Sequence, residues 1–389
     1  MIKKIIRKVK LIIKKTWISI LELQIFRVDN KKIVFDNFNG KGFGCNPKYI
    51  ALELIKEKVD CKMIWLVSDM NTEMPKEIKK VKYESLKSYY ELATAKIWID
   101  NVRKYKGINK KKNQFYIQTW HGGISLKRFE KDVEETLSPI YVAEAKNDGK
   151  IMDLLITNNE DQKKYFEKVF WYDGEILCNG TPRNDIIYKN DKNINKKVYE
   201  YFDIDENKKI VMYAPTFRKD HNMGAYMFDY EECCKRLCEK FGNEFIMLIR
   251  LHPNIAEQSE QIKYMSIVKN ASKYPDIQEL IAATDVVITD YSSVSFDAGL
   301  VYKPVFIIAK DFEEYTKNDR KLLYDMNELP FDISKTEMEL YQNIEKFNLE
   351  DYKEKLNLFY TKIGVVHNNN SAKDIVEIIK EKIKCKKGK

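Results

Sequence analysis

The sequence predicts an α/β chain in which one architecture is used twice: two doubly wound, mostly parallel sheets whose polar strand ends face each other across a cleft. Three observations predict it. Short β-branched or aromatic runs alternate with amphipathic helical stretches in both halves of the 389 residues, which is the pattern of repeated βα units. The runs are apolar throughout, as strands covered on both faces are. Four of them stop at polar tips. Residues 115–117 run into Gln118-Thr119-Trp120-His121-Gly122-Gly123, and residues 210–213 into Ala214-Pro215-Thr216-Phe217-Arg218. Residues 245–249 run into Arg250-Leu251-His252-Pro253, and residues 286–289 into Asp290-Tyr291-Ser292-Ser293. In open α/β sheets ligands bind beyond the carboxyl ends of the strands, so hydroxyl, imidazole and guanidinium groups gathered there imply one anionic ligand shared among them.

The chain is long enough for two full cores. Of the formal net charge of +9, residues 1–15 carry +7 and residues 380–389 carry +5, which leaves the body at about −3. The body is not basic, and no nucleic-acid-binding motif spacing appears, so nucleic acid is not an expected partner. Seven cysteines with no CxxC pair and no secretory signal point to a reduced compartment. Cys233, Cys234 and Cys238 share a helical stretch, where they read as small apolar residues rather than a metal site, and no metal is expected.

Residues 1–27 open the chain. On a helical wheel Ile2, Ile5, Ile6, Val9, Ile12, Ile13, Thr16 and Ile20 share one face, and Lys3, Lys4, Arg7, Lys8, Lys10, Lys14 and Lys15 the other. Charges interrupt the stretch too often for a span of about 20 apolar residues. A basic amphipathic helix on an anionic membrane surface, anchored by Trp17, is expected, with packing on the body as the alternative.

Residues 28–188 form the first expected domain. Strands are predicted at 33–35, 63–67, 97–100, 115–119, 154–157 and 176–178, with helices at 47–58, 85–95 and 161–169 opened by Pro47, Ser85 and Asp161. Residues 103–113 are rich in Lys and Asn and read as an exposed loop. The second domain, 189–370, begins in a polar run. It has strands at 210–213, 245–249, 286–289 and 305–308, and helices at 229–241, 277–283 and from about Ser295. Residues 371–389 hold a last helix, with Ile375, Ile378, Ile379 and Ile383 on one face, expected to pack back across the domain seam. Asp203-Ile204-Asp205 has the form of a metal-binding DxD but lies in a charged loop before a strand, where turn chemistry explains it.

Ser292 and Ser293 admit two readings. They cap a helix as Ser does everywhere, or with Asp290 they form a phosphate cradle of hydroxyls and backbone N–H groups. The chain holds four histidines. His121 and His252 stand at strand tips, where an imidazole can move a proton near neutral pH. His221 and His367 lie in polar loops.

In order along the chain, Asn46-Pro47-Lys48-Tyr49, Gln118-Thr119-Trp120-His121-Gly122, Gly180-Thr181-Pro182-Arg183-Asn184-Asp185, Tyr213-Ala214-Pro215-Thr216-Phe217-Arg218, Arg250-Leu251-His252-Pro253 and Thr289-Asp290-Tyr291-Ser292-Ser293 with Asp297 resemble the CDP-glycerol glycerophosphotransferase family of teichoic acid primases and polymerases. The resemblance implies two facing Rossmann-like domains of the GT-B kind and peripheral association with the cytoplasmic face of the plasma membrane. It implies transfer of glycerol phosphate from CDP-glycerol to a lipid-linked saccharide or polymer acceptor, with no cofactor besides the donor substrate. It leaves homo-oligomerisation open. Here the loop after Trp120-His121-Gly122 is one residue longer than in better-known members. The catalytic weight the resemblance puts on His121 makes it the expected general base, with Gly122 and Gly123 letting backbone approach the substrate. His252, Arg250 and Arg183 are expected to hold the diphosphate and its developing charge. Pro215 and Thr216 are expected on the cytidine side, and Asp297 to orient His252 or a hydroxyl. A CDP-ribitol phosphotransferase, a sugar-nucleotide glycosyltransferase of the same fold and a catalytically dead membrane scaffold are the alternatives.

Overall fold

A computed structural model describes residues 26–104, 110–218, 223–262, 264–318 and 321–384. The expected amphipathic helix of the first 27 residues, Trp17 and His221 lie outside them, apart from Phe26 and Arg27.

Two parallel sheets organise the chain. The first contains β1 (Asp29–Asp36), β2 (Lys62–Val67), β3 (Ile78–Lys82), β4 (Ala95–Asp100), β5 (Phe115–Gln118), β6 (Leu154–Thr157) and β7 (Glu175–Cys178) in the order β3-β2-β1-β4-β5-β6-β7. The second contains β8 (Lys209–Tyr213), β9 (Phe245–Ile249), β10 (Val268–Asn270), β11 (Val286–Thr289), β12 (Val305–Ile308) and β13 (Asp332–Ser334) in the order β10-β9-β8-β11-β12-β13. The strand order reverses at β1/β4 and at β8/β11, and these switch points open crevices at the carboxyl ends of the strands.

The pleat sends alternate residues to opposite faces. Val34, Trp98 and Tyr116 join the core on one side of the first sheet, while Ile33, Phe35, Ile97, Ile99 and Ile117 join the core on the other. Burial on both faces explains the unbroken apolar runs. The Lys-rich β3 and the three-residue β10 and β13, which lacked such runs, lie at sheet edges or extend them. Lysines on an edge strand also block pairing with other chains.

Residues 103–113 are not simply an exposed loop, which corrects the sequence expectation. Arg103 and Lys104 are buried: Arg103 pairs with Glu130 and Asp148, and Lys104 with Asp100 and Asp36. A Lys-rich sequence reads as solvated until its carboxylate partners, three of the four remote in sequence, are known.

The domains meet through polar and apolar contacts. The Lys48 ammonium, on the helix Cys45–Lys56, lies 2.6 Å from Asp276 and 2.8 Å from Glu279 of the second domain, and the Tyr49 hydroxyl donates to Asp276 at 2.8 Å. Tyr49, Ile124 and Leu126 of the first domain join the second domain's core. The chain crosses back where Val366 N donates to the Asn158 carbonyl at 2.7 Å. Its last helix, Ser371–Lys384, begins on the Asp185 carboxylate, which accepts from the backbone N–H groups of Ser371 and Ala372 at 3.0 and 2.9 Å. It then buries Ile375, Val376 and Ile379 in the first domain. No helix among the described residues is long and apolar enough to cross a membrane.

Candidate active site

The loop after β5 is held by side chains from several directions. Thr119 donates its N–H and its hydroxyl to the Asp100 carbonyl at 2.7 and 2.9 Å. Trp120 adopts the left-handed conformation at φ 49°, which costs a bulky residue roughly 1–2 kcal/mol, so the surroundings must enforce it. Asn46 does so: its amide donates at 3.1 Å to the carbonyls of both Thr119 and Trp120, while its Oδ1 accepts from Arg183 N at 3.0 Å. His121 then lies with its ring 4.3 Å from Trp120 and 5.3 Å from Phe38. Its Nδ1 is 2.7 Å from the Asn101 carbonyl. A carbonyl only accepts, so this contact puts the proton on Nδ1 and leaves Nε2 with its lone pair. A Cβ on Gly122 would meet nothing within 4 Å, whereas one on Gly123 would lie 2.6 Å from the Asn158 amide. Gly122 therefore leaves space open, and Gly123 is required for packing.

Across the cleft, Asp290 organises the tips of β8 and β11. It accepts from Thr216 N at 2.8 and 3.0 Å, from Tyr291 N at 2.6 Å and from Arg218 at 2.8 Å. Arg218 is itself buried, pairing also with Asp311 at 2.6 Å and packing on the ring of Tyr315. The Ser292-Ser293 turn follows and leads into the short helix Val294–Gly299. Among the described residues Ser293 makes no side-chain capping bond, and Ser292 Oγ accepts a 3.4 Å contact from Val294 N. Both hydroxyls are half-buried. His252 is exposed, its ring 5.7 Å from Phe217.

These groups enclose a cleft of about 510 Å³ to which His121, Gly122, Thr216, His252, Ser292 and Ser293 all contribute. Lys127 lines it as well. Arg183, Arg250, Pro215, Asp290, Asp297 and Gly123 do not; they stand behind its walls. Arg183 is buried, donating to the His121 carbonyl at 2.8 Å and to Asp297 at 2.5 Å. Burial works against its charge, but Asp297 and Cys45 more than offset that and hold the guanidinium pKa up. Arg250 donates to the carbonyls of Ala271 and Tyr274 at 3.0 and 2.7 Å. Burial lowers its pKa to about 10, with Asp276 and Tyr274 offsetting only part of the penalty. Asp297 accepts from Arg183, Asn184 and Gln278 and so ties the serine-turn helix to the first domain.

Residues 19–381 match the family described as CDP-Glycerol:Poly(glycerophosphate) glycerophosphotransferase. The chain belongs to that family. It is 33% identical over 372 residues to a teichoic acid poly(glycerol phosphate) polymerase of Staphylococcus epidermidis, covering 92% of this chain and 51% of that protein. It is 31% identical over 362 residues to one of Bacillus spizizenii, covering 90% and 92%. The chain thus spans about half the length of the first relative and nearly all of the second. A solved structure of the wall teichoic acid polymerase TagF superposes with a TM-score of 0.84 at 31% identity, covering 98% of both chains. The two facing doubly wound domains expected from the strand pattern, and the GT-B kind that the family resemblance implied, are therefore the fold of this glycerophosphotransferase-family chain.

Within that fold, three site residues escaped sequence reading. Asn46 was legible as a motif but not as the group that holds the His121 loop. Asn101, directly after β4, sets the imidazole tautomer through its backbone, which no side-chain pattern reveals. Lys127 could have been found as the basic residue closing the loop that starts at His121.

Proposed function

We propose that the protein transfers glycerol phosphate from CDP-glycerol to a hydroxyl of a lipid-linked acceptor or growing polymer, releasing CMP, in the synthesis of a teichoic-acid-type envelope polymer. The observation that carries this reading is His121, its Nδ1 held by the Asn101 carbonyl, lining a cleft to which His252 and the Ser292-Ser293 turn also contribute. Phosphoryl transfer asks for positioning, charge stabilisation and a group to take the proton of the attacking hydroxyl. His121 Nε2 removes that proton as the acceptor oxygen bonds to the phosphorus bearing glycerol. The bond from that phosphorus to the bridging oxygen breaks, and its electron pair leaves with CMP. His252, Thr216 and the serine hydroxyls face the diphosphate, and Arg183, Asp290 and Asp297 hold the walls that present them.

Teichoic acid polymerases and a glycerol-phosphate transferase among the relatives support glycerol as the alditol. The segregated cationic and apolar faces of residues 1–20 support an anionic membrane surface as the place where the acceptor is met. Incubation with CDP-glycerol and a lipid-linked acceptor analogue, followed by anion-exchange separation of nucleotides, tests the reaction. CMP is the expected product. Release of a nucleoside diphosphate from any donor, with no CMP from CDP-glycerol or CDP-ribitol, would establish glycosyl transfer instead.

A further inference from the structure

We propose that Lys127 is a substrate-contacting cation of this transfer, reaching from the first domain to the diphosphate held against the second; the proposal rests on the CDP-glycerol reading of the cleft. Among the described residues that line the cleft, Lys127 is the one Lys or Arg. The nearby arginines are set behind the wall, with Arg183 on Asp297 and Arg218 on Asp290 and Asp311. The Lys127 ammonium stands 3.4 Å from the Thr216 hydroxyl and 5.5 Å from the centre of the Tyr315 ring. Tyr315 stacks on Tyr291 at 3.9 Å, and Tyr291 directly precedes the serine turn. The ammonium is thereby carried over the floor that leads to Ser292 and Ser293.

Its backbone is fixed independently of its side chain. Lys127 forms an antiparallel bridge with Leu322, flanked by Arg128 N to the Lys321 carbonyl at 2.9 Å and Leu323 N to the Leu126 carbonyl at 2.8 Å. A first-domain lysine is thus pinned to the second domain. The reaction supplies a reason for a cation there. The donor diphosphate carries two negative charges. After the hydroxyl proton passes to His121, the phosphodiester carries one and CMP two, so the added charge develops on the departing phosphate. A preorganised ammonium aimed at that oxygen stabilises the transition state more than the ground state.

The test compares wild type, Lys127→Gln and Lys127→Arg in CMP release from CDP-glycerol, and in calorimetric binding of CMP and of cytidine. Lys127→Gln is expected to lower kcat/KM by about 10²- to 10³-fold and to weaken CMP at least fivefold with cytidine unchanged; Lys127→Arg is expected to recover most of both. The CMP-against-cytidine difference reports phosphate contact even if a variant is less stable. Equal effects on CMP and cytidine, or no effect on either, would overturn the proposal. A wild type that binds CMP through Lys127 but releases none from CDP-alditols would retain the contact and overturn the reaction instead.

Discussion

Arg183 and Asp297 meet across the domain boundary at 2.5 Å, with both side chains buried. Through the other arm of its guanidinium, Arg183 holds the His121 carbonyl at 2.8 Å. One ion pair therefore fixes the distance between the histidine loop of the first domain and the helix that follows the serine turn of the second.

Removing one partner of a buried pair leaves the other charge uncompensated, at a cost of about 3–5 kcal/mol. Asp297→Ala is expected to lower the melting temperature and kcat together, because it frees Arg183 and loosens the His121 loop. Thermal melts alongside CMP-release kinetics check this. A variant with full kcat at a lowered melting temperature would confine the pair to stability.

Asn46→Asp keeps the shape of the side chain but turns the amide that faces two carbonyls into an acceptor. Two hydrogen bonds are replaced by repulsion, while the bond from Arg183 N is retained. A loss of roughly 1–3 kcal/mol in stability is expected for the unsatisfied buried groups, and kcat should fall about 10-fold or more as Trp120 leaves its left-handed conformation. Denaturant melts and steady-state kinetics measure both; unchanged kcat would remove Asn46 from the positioning of His121.

Acid should open the domain seam by a defined route. Burial tends to raise the Glu279 pKa, but Lys48, Lys197 and Tyr274 outweigh it and bring it from 4.5 to about 2. A folded-state pKa below the unfolded value means that the carboxylate adds stability above about pH 4.5, and that this is lost as pH falls toward 2. Melting temperature against pH should therefore drop through that window, and Glu279→Gln should be less stable near neutrality with a flatter acid limb. Parallel curves for the two proteins would show that Glu279 is not the titrating group.

The sequence made the architecture legible wherever burial on two faces left an apolar run, as in β8, β9, β11 and β12. It hid β3, whose Lys79 and Lys82 are exposed at a sheet edge, and the helix Pro139–Ile151, whose Asn, Asp and Gly residues break the helical periodicity. The strand tips pointed to the cleft they line, because ligands collect at carboxyl ends. What the tips could not disclose was direction. Arg183 and Arg250 are as cationic in sequence as Lys127, yet two of the three point into protein, because partners more than 20 residues away in the chain decide where a guanidinium is satisfied. Gly123 likewise looked like a substrate approach until the Asn158 side chain was found beside it.

On the proposed mechanism His121 takes the acceptor proton in a reaction that yields CMP. Single-turnover CMP release by wild type and His121→Ala, each saturated with CDP-glycerol whose binding is measured independently by calorimetry, tests it most directly. The step is expected to be about 10²- to 10⁴-fold slower in the variant, with donor affinity changed only a few-fold. A variant that binds donor far more weakly yet turns over at the wild-type rate once saturated would contradict it and make His121 a binding residue.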